Sequence, residues 1–191
     1  MTDQITDEIK NCIKVLSQGG IILYPTDTIW GIGCDATNEE AVSKIFALKK
    51  RSDSKSMIVL LDNENKLQSY VREVPEVAWD LIECAEKPLT IIYDGARNLA
   101  KSVVAEDGSI AIRITKDEFC KRLIERFRKP IVSTSANISG NEPPQSFSDV
   151  DDSIIQGVDY VVNLRQNETT KSMPSTIIKL KVSGEFQFIR K

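Results

Sequence analysis

Short apolar runs with the length of a β-strand alternate with amphipathic helical patterns through most of this chain. The helical patterns cover residues 5–16, 37–48, 75–84, 117–127 and 148–156, and the apolar runs cover residues 21–25, 57–61, 89–93, 110–115, 130–132, 158–164, 176–180 and 185–189. This order is typical of α/β folds, and the last two runs follow each other as a hairpin would. We therefore expect a twisted, mixed parallel and antiparallel sheet that helices flank.

Polar residues follow or precede several of the predicted strands. The first strand leads into Thr26-Asp27-Thr28, the strand at 130–132 leads into Ser133-Thr134-Ser135-Ala136-Asn137, and Pro174-Ser175-Thr176 opens a late strand. Open α/β sheets bind ligands at strand ends, and hydroxyl and amide groups donate well to phosphate oxygens. The alternative is that these side chains only form turn hydrogen bonds to the backbone.

Arg113 stands in a strand whose other positions are isoleucines. Ile110, Ile112 and Ile114 alternate with Ala111, Arg113 and Thr115. Because successive side chains of a strand point to opposite faces, Arg113 lies on the face away from the isoleucines. It therefore meets either solvent, the usual environment of an arginine, or an anion.

A basic cluster closes the second predicted helix. It consists of Lys49, Lys50, Arg51 and Lys55. Cations at a helix C-terminus often complement the helix dipole in water, and a phosphate site is the alternative. Neither a G-x-x-x-x-G-K-[ST] nor a G-x-G-x-x-G pattern occurs, so the sequence supports no P-loop and no dinucleotide site.

The chain has no histidine and four widely separated cysteines. Without an imidazole, Ser-His-Asp and Cys-His catalysis are excluded. The spacing of Cys12, Cys34, Cys84 and Cys120 predicts reduced, mostly buried thiols and no zinc site. Chemistry must then depend on carboxylates, lysines, a metal or the substrates themselves.

Composition indicates an ordinary globular protein. Hydrophobic residues make up 41% and charged residues 28% of the 191 residues, and no stretch approaches the ~20 apolar residues of a bilayer span. The first twenty residues do not resemble a signal peptide, so a cytoplasmic location without membrane contact is expected. The net charge of -3 argues against non-specific coating of nucleic acid. The length favours one domain, residues 1–191.

Taken in order, five segments resemble the YrdC family of threonylcarbamoyl-AMP synthases. They are YPTDTIWGIGCDATNEEAVSKIFALKKR, KPLTIIYDG, DGSIAIRI, PIVSTSANISG and MPSTIIKL. The resemblance implies a catalytic tetrad of Lys49, Arg51, Ser135 and Asn137, which would also bind ATP together with Ser109 and Arg190. It further implies that L-threonine is bound by Thr26, Arg113, Ser133 and Ser175.

The resemblance also implies a fold and a reaction. The family fold is a twisted α/β sheet with a basic concave cavity, and longer relatives carry an additional C-terminal domain for which this length leaves no space. The reaction joins L-threonine, bicarbonate and ATP into threonylcarbamoyl-AMP and pyrophosphate. No metal ligands are expected in the protein, since Mg2+ would bind through the ATP phosphates. The product would pass to threonylcarbamoyl-transfer proteins that modify tRNA, with direct contact to tRNA or double-stranded RNA left open.

Three alternatives stay open at this point. One is a module that binds structured RNA without turnover. Another is a relative that handles a carbamoyl-adenylate for a different acceptor. The third is a catalytically silent homologue, because the chain departs from the family pattern at Ser52, at Glu86-Lys87-Pro88 and at Lys179.

Overall fold

The computed structural model describes residues 2–50, 57–168 and 173–191. The strands in these ranges form one nine-stranded sheet with the order β7-β1-β2-β6-β3-β5-β4-β8-β9. The strands are β1 (Ile22–Tyr24), β2 (Gly31–Gly33), β3 (Ile58–Leu61), β4 (Leu89–Tyr93), β5 (Ile110–Ile114), β6 (Ile131–Ser135), β7 (Tyr160–Val161), β8 (Thr176–Leu180) and β9 (Phe186–Arg190).

The sheet mixes parallel and antiparallel pairs, as the alternating sequence pattern predicts. Strand β1 pairs in parallel with β7, β3 with β5, and β4 with β8. The neighbouring pairs β1–β2, β2–β6, β3–β6, β4–β5 and β8–β9 are antiparallel. The expected closing hairpin of β8 and β9 is therefore confirmed.

Helices flank the sheet, and several of them begin at a residue whose side chain caps the helix. They are α1 (Thr2–Ser17), α2 (Glu39–Leu48), α3 (Leu67–Tyr70), α4 (Val77–Cys84), α5 (Glu118–Phe127) and α6 (Asp152–Gly157). Asp117 caps α5 by accepting a hydrogen bond from the backbone of Cys120 at 2.8 Å. No helix among the described residues is both long enough and apolar enough to cross a membrane.

Two apolar clusters occupy the two faces of the sheet. The larger cluster includes Ile110 and Ile112 of β5 and packs against α2, α4 and α6. The second cluster joins α1 and α5 to β1, β3 and β6, and it contains Leu60. Leu60 pairs with Arg113 across β3 and β5, so Arg113 lies on this second face, as predicted from the strand pattern. Apolar packing on this face therefore borders on a charged side chain.

Strand β2 was not predicted from the sequence. A Cβ on Gly33 would lie 2.6 Å from both a ring carbon of Tyr24 and the carbonyl oxygen of Val132. Only glycine permits the neighbouring strands to approach this closely. The strand is therefore built from Gly31-Ile32-Gly33, which carries no apolar run that would predict it.

Several element boundaries also differ from the predicted ones. Helix α2 is capped by Asn38, which accepts from the backbone of Ala41 at 3.1 Å, so the helix begins later than the pattern from Thr37 predicts. The predicted helix at 148–156 is a 3-10 turn at Phe147–Asp149 followed by α6, and α3 was not predicted. The predicted strand at 158–164 is shorter in the structure, where β7 pairs with β1 at Tyr160 and Val161 and forms one edge of the sheet.

Candidate functional site

A cavity of about 180 Å3 opens between β2, β5, β6 and the β8–β9 hairpin. Its wall combines hydroxyl groups, two arginines and apolar side chains. The lining residues are Thr28, Ile29, Trp30, Gly31, Met57, Ile58, Arg113, Ser133, Thr134, Ser135, Pro143, Pro174, Ser175 and Arg190. Five of the residues predicted as site residues are in this set, although they come from three different strands and a loop.

Arg113 forms the charged part of the cavity wall. It is buried and lies 3.1 Å from Oδ1 of Asp27, measured from its Nη2. Its Nε–H finds no hydrogen-bond partner among the described residues. The solvent-facing alternative for this arginine is therefore wrong, and the guanidinium retains donor capacity for an anion.

A chain of polar contacts holds the opposite wall. Ser175 is buried, and its hydroxyl lies 2.8 Å from the hydroxyl of Thr90. Arg190 donates from Nε and Nη2 to the backbone carbonyl of Ser175, at 3.0 and 2.9 Å. Thr90 pairs directly with Arg113 across β4 and β5, so these residues share one face of the sheet.

A register shift in the β8–β9 hairpin directs Arg190 to this face. Ile178 pairs with Phe188, whereas the adjacent Ile177 pairs with Arg190. The additional residue Ile189 is the signature of a β-bulge, which re-aims the side chains that follow it. Phe188 thus stays beside Ile178, which belongs to the larger apolar cluster, while Arg190 turns to the face of Arg113.

Two arginine side chains lie in the cavity wall. Arg113 and Arg190 both line it, and its described lining residues include no carboxylate. Burial, and secondarily the positive charge of Arg113, lowers the pKa of Arg190 below its ordinary value. An arginine remains protonated near neutral pH even so, and two close cations favour a bound anion.

Strand β6 delivers the serines of the STSAN segment. Ser133 pairs with Ile58 of β3, and Ser135 pairs with Gly31 of β2. Both serines line the cavity. A Cβ on Gly31 would lie 3.3 Å from Oγ of Ser133, so the glycine leaves the space in front of this hydroxyl open. The strand therefore extends through Ser135 and does not end before the hydroxyl cluster.

Lys49 lies beneath this segment and is not a solvated helix-end cation. It is 2% exposed, and its Nζ donates to the backbone carbonyls of Ser135 at 2.5 Å and Asn137 at 2.6 Å. The ammonium thus joins the C-terminus of α2 to the turn after β6. The solvated alternative for the basic cluster is wrong for Lys49, and Arg51 lies outside the described residues.

The remaining predicted residues lie around the cavity without lining it. Asn137 donates from Nδ2 to the backbone carbonyls of Ile138 and Asn141, and its Oδ1 is buried without a hydrogen bond in the described structure. Ser109 is buried at the start of β5 and donates its backbone N–H to Asp107 at 3.0 Å.

The loop after β1 uses its threonines in two ways. The hydroxyl of Thr26 donates to the carbonyl of Ile29 at 2.8 Å and accepts from the backbone N–H of Thr28 at 3.0 Å. This is the turn arrangement that the sequence analysis held as the alternative. Thr28 and Trp30 line the cavity, and the Trp30 ring packs on Phe147 with centroids 4.8 Å apart. The sequence pointed to Thr28 as part of a polar strand-end segment, whereas Trp30 and Thr90 were missed.

No cysteine is among the described residues that line this cavity. Cys12, Cys34 and Cys120 are buried and Cys84 is exposed, which confirms the prediction of mostly buried thiols. Burial raises the pKa of Cys12 and Cys34, so these thiols are poor nucleophiles. The described part of the chain holds no group of three or more histidine, cysteine or acidic residues that could bind a metal ion.

Comparison with known proteins gives consistent matches over nearly the whole chain. The model of the Sua5, YciO and YrdC proteins, described as "Telomere recombination", matches residues 14–191. The threonylcarbamoyl-AMP synthase of Pseudoalteromonas translucida is 35% identical over 180 residues, which are 93% of this chain and 94% of that protein. The protein of the same name from Vibrio parahaemolyticus is 31% identical over 180 residues, 93% of this chain and 96% of its own.

Solved structures share the fold. A double-mutant Sua5 from P. abyssi has a TM-score of 0.83 at 28% identity, over 91% of this chain and 53% of that chain. P. abyssi Sua5 complexed with L-threonine has a TM-score of 0.80 at 26% identity, over 90% and 50%. This chain thus spans about half the length of those two proteins. E. coli YciO, at 21% identity, has the same fold with a TM-score of 0.82 over 96% and 88%.

Proposed function

This chain belongs to the Sua5/YciO/YrdC family, and on that premise we propose that it is a threonylcarbamoyl-AMP synthase. The observation that carries the proposal is the single cavity on which Arg113, Ser133, Ser135, Ser175 and Arg190 converge. Residues far apart in sequence meet there around two cationic side chains. That arrangement suits small anionic ligands, and a general-base histidine is not needed if the substrates supply the nucleophile.

The reaction balances without a protein nucleophile. The amine of L-threonine adds to bicarbonate, forming a carbamate and releasing water. A carbamate oxygen then attacks the α-phosphorus of ATP, the bond to the β-phosphate oxygen breaks, and pyrophosphate leaves. The product is threonylcarbamoyl-AMP, and the enzyme contributes orientation of the reactants and stabilisation of phosphate charge.

The enclosed part of the cavity fits the amino acid. Its volume of about 180 Å3 is below the ~300–1,000 Å3 of ordinary small-molecule pockets, so the cavity suits a threonine, and the nucleotide would extend beyond it. Arg113 binds the α-carboxylate, because a guanidinium pairs well with that group. Ser133 and Ser175 line the same space and hydrogen-bond the substrate, while Thr26 acts by holding the turn that presents Thr28.

The nucleotide end is assigned to the segment after β6. Ser135 lines the cavity, and Lys49 is tied to the carbonyls of Ser135 and Asn137. Lys49 thereby places positive charge behind the turn, where the triphosphate of ATP lies in this proposal. Arg51, which lies outside the described residues, is proposed from the family resemblance to add positive charge for the nucleotide, and Ser109 and Arg190 are proposed to flank it.

Mg2+ enters as the partner of ATP. When bound with the nucleotide, it would neutralise phosphate charge. The donor set of the cavity fits this arrangement, because hydroxyls and arginines can contact phosphate oxygens and water while leaving the ion to the nucleotide. The described residues offer no cluster of acidic groups as a separate ion cage.

The product would be consumed by proteins that transfer the threonylcarbamoyl group to tRNA. A cytoplasmic location follows from that role, since tRNA and the substrates are available there. Neither step requires this chain itself to hold RNA. An RNA-binding module without turnover would show salt-sensitive RNA binding and no ATP consumption.

Pyrophosphate release under substrate omission tests the proposed function. We expect release from ATP and Mg2+ only when both L-threonine and bicarbonate are present, with serine and valine giving much slower release. Arg113→Ala and Lys49→Ala should each reduce the rate at least ~100-fold, because each removes a charged contact to a reactant or its binding turn. Near-normal rates in both variants would contradict the site assignment.

A further inference from the structure

Asp27 lies behind the cavity wall. It does not line the cavity that contains Arg113, and it lines instead a smaller cavity of about 100 Å3 whose wall includes Ile112 and Ile114. Its carboxylate nevertheless lies 3.1 Å from Nη2 of Arg113. A carboxylate in this position acts on a ligand of the main cavity only through the arginine that separates them.

The carboxylate of Asp27 is itself held in place. Its Oδ2 lies 3.3 Å from the hydroxyl of Thr115 and 3.3 Å from the backbone N–H of Lys116, and both groups donate to it. Both donors lie just after β5, two and three residues beyond Arg113. Asp27 thus connects the turn after β1 to the strand that carries the arginine, so the position of Arg113 depends on both elements.

The contact leaves Arg113 incompletely bonded. The side chain of Arg113 is 3% exposed and that of Asp27 is 13% exposed, so water compensates little of their charge. Yet Oδ1 of Asp27 accepts no aligned hydrogen bond in the described structure, and Nε of Arg113 donates none. Buried N–H groups without acceptors are costly, which makes a carboxylate in the cavity the natural acceptor for the remaining donors.

We propose that Asp27 is a positioning residue that orients the Arg113 guanidinium for the carboxylate of the amino-acid substrate. The inference rests on the proposed function and deepens it, because it adds to the amino-acid subsite a residue that acts on the substrate only through Arg113. Arginine has five N–H donors on a rigid plane, and fixing one nitrogen determines where the others point. Without Asp27 the guanidinium keeps its charge and loses its defined orientation.

Steady-state kinetics of Asp27→Asn test this role. Asparagine keeps the size of the side chain and removes its charge. We expect the KM for L-threonine to rise about tenfold while kcat and the KM for ATP change less than about threefold, the pattern of lost ground-state binding. Asp27→Glu should recover part of the threonine affinity because the carboxylate is restored.

A double-mutant cycle separates positioning from a general loss of structure. In an Arg113→Lys background, Asp27→Asn should have little further effect on the KM for L-threonine, since the planar group it orients is gone. Asp35→Asn is the matched control, because Asp35 is an aspartate that, like Asp27, forms an ion pair, here 2.6 Å from Lys129, at the opposite end of β6. It should lower thermal stability without changing the KM for L-threonine.

Two results would overturn the inference. One is an unchanged KM for L-threonine in Asp27→Asn, measured with an active wild-type protein. The other is a full additional effect of Asp27→Asn in the Arg113→Lys background. A wild-type protein that forms no product with any amino acid would instead contradict the proposed function, so the two failures are distinguishable.

Discussion

The ammonium of Lys49 donates to the backbone carbonyl of Ser135, with 2.5 Å between Nζ and the oxygen. A second bond of 2.6 Å runs to the carbonyl of Asn137. One buried cation therefore fixes the backbone of the segment that the proposed reaction uses for phosphate. Because the same group both holds the turn and supplies charge, stability and activity should depend on it together.

Lys49→Met is expected to destabilise the protein as well as inactivate it. Methionine fills similar space but leaves the carbonyl of Asn137 without this buried donor, which costs about 2 kcal/mol. Denaturant unfolding measures the loss. Lys50→Met is the matched control, since Lys50 is the exposed neighbour and its change should stay within about 0.5 kcal/mol. Equal stability of the two variants would contradict the bonding described for Lys49.

Thr90→Val should weaken threonine binding without touching the cavity wall. Thr90 is fully buried, and its hydroxyl lies 2.8 Å from the hydroxyl of Ser175. Valine keeps the shape and removes this bond, so we expect a loss of about 1 kcal/mol in unfolding free energy and a several-fold higher KM for L-threonine. Thr176→Val should change neither value, because the described structure gives its hydroxyl no hydrogen bond. An unchanged KM for L-threonine in Thr90→Val would contradict this prediction, because it would show that Ser175 binds the substrate equally well without the hydrogen bond from Thr90.

Replacing the two glycines of β2 by alanine, one at a time, should affect two different properties. The change at Gly33 should lower stability, and the change at Gly31 should weaken threonine binding. A Cβ on Gly33 would lie 2.6 Å from the Val132 carbonyl oxygen, whereas one on Gly31 would lie 3.3 Å from Oγ of Ser133 at the cavity. Gly33→Ala should therefore cost on the order of 1–3 kcal/mol through backbone displacement. Gly31→Ala should fold nearly normally and bind threonine more weakly. Thermal denaturation with calorimetric titration distinguishes the two, and the reverse ranking would contradict the described strand spacing.

The pKa of Asp107 should depend on Ser109. Hydrogen bonds from Ser109, and then from Lys179, lower the pKa of this carboxyl to about 2. Its stabilising contribution is therefore present above pH ~4, the ordinary range of an aspartate, and is lost as the pH falls through about 2. Ser109→Ala should raise the pKa toward 3.8, and Lys179→Met should raise it less. Carboxyl NMR titration measures both, and an unchanged value in Ser109→Ala would contradict this assignment.

The sequence predicted the strands and helices that have strong apolar periodicity. The placement of Arg113 opposite Ile110 and Ile112 was predictable because alternation along a strand depends only on local sequence. Strand β2 was not predictable, because its two glycines matter only through contacts with Tyr24 and Val132 that arise in the folded sheet.

The candidate site was predictable as a set of residues but not as an arrangement. Arg190 reaches the cavity through a register shift between β8 and β9, which no local pattern reveals. Thr90 enters the site only because β4 lies beside β5 and pairs it with Arg113. Asp27 was recognised as polar and strand-terminal, yet its position behind the arginine requires the tertiary fold.

The most direct test of the account is mass spectrometry of the reaction with [13C]bicarbonate. The protein is incubated with ATP, Mg2+, L-threonine and labelled bicarbonate, and the nucleotide products are separated. We predict a threonylcarbamoyl-AMP species that carries one 13C atom and is absent when threonine or bicarbonate is omitted. Pyrophosphate should form in equal amount. Complete absence of this labelled adenylate, with folded protein and intact ATP, would contradict the central claim.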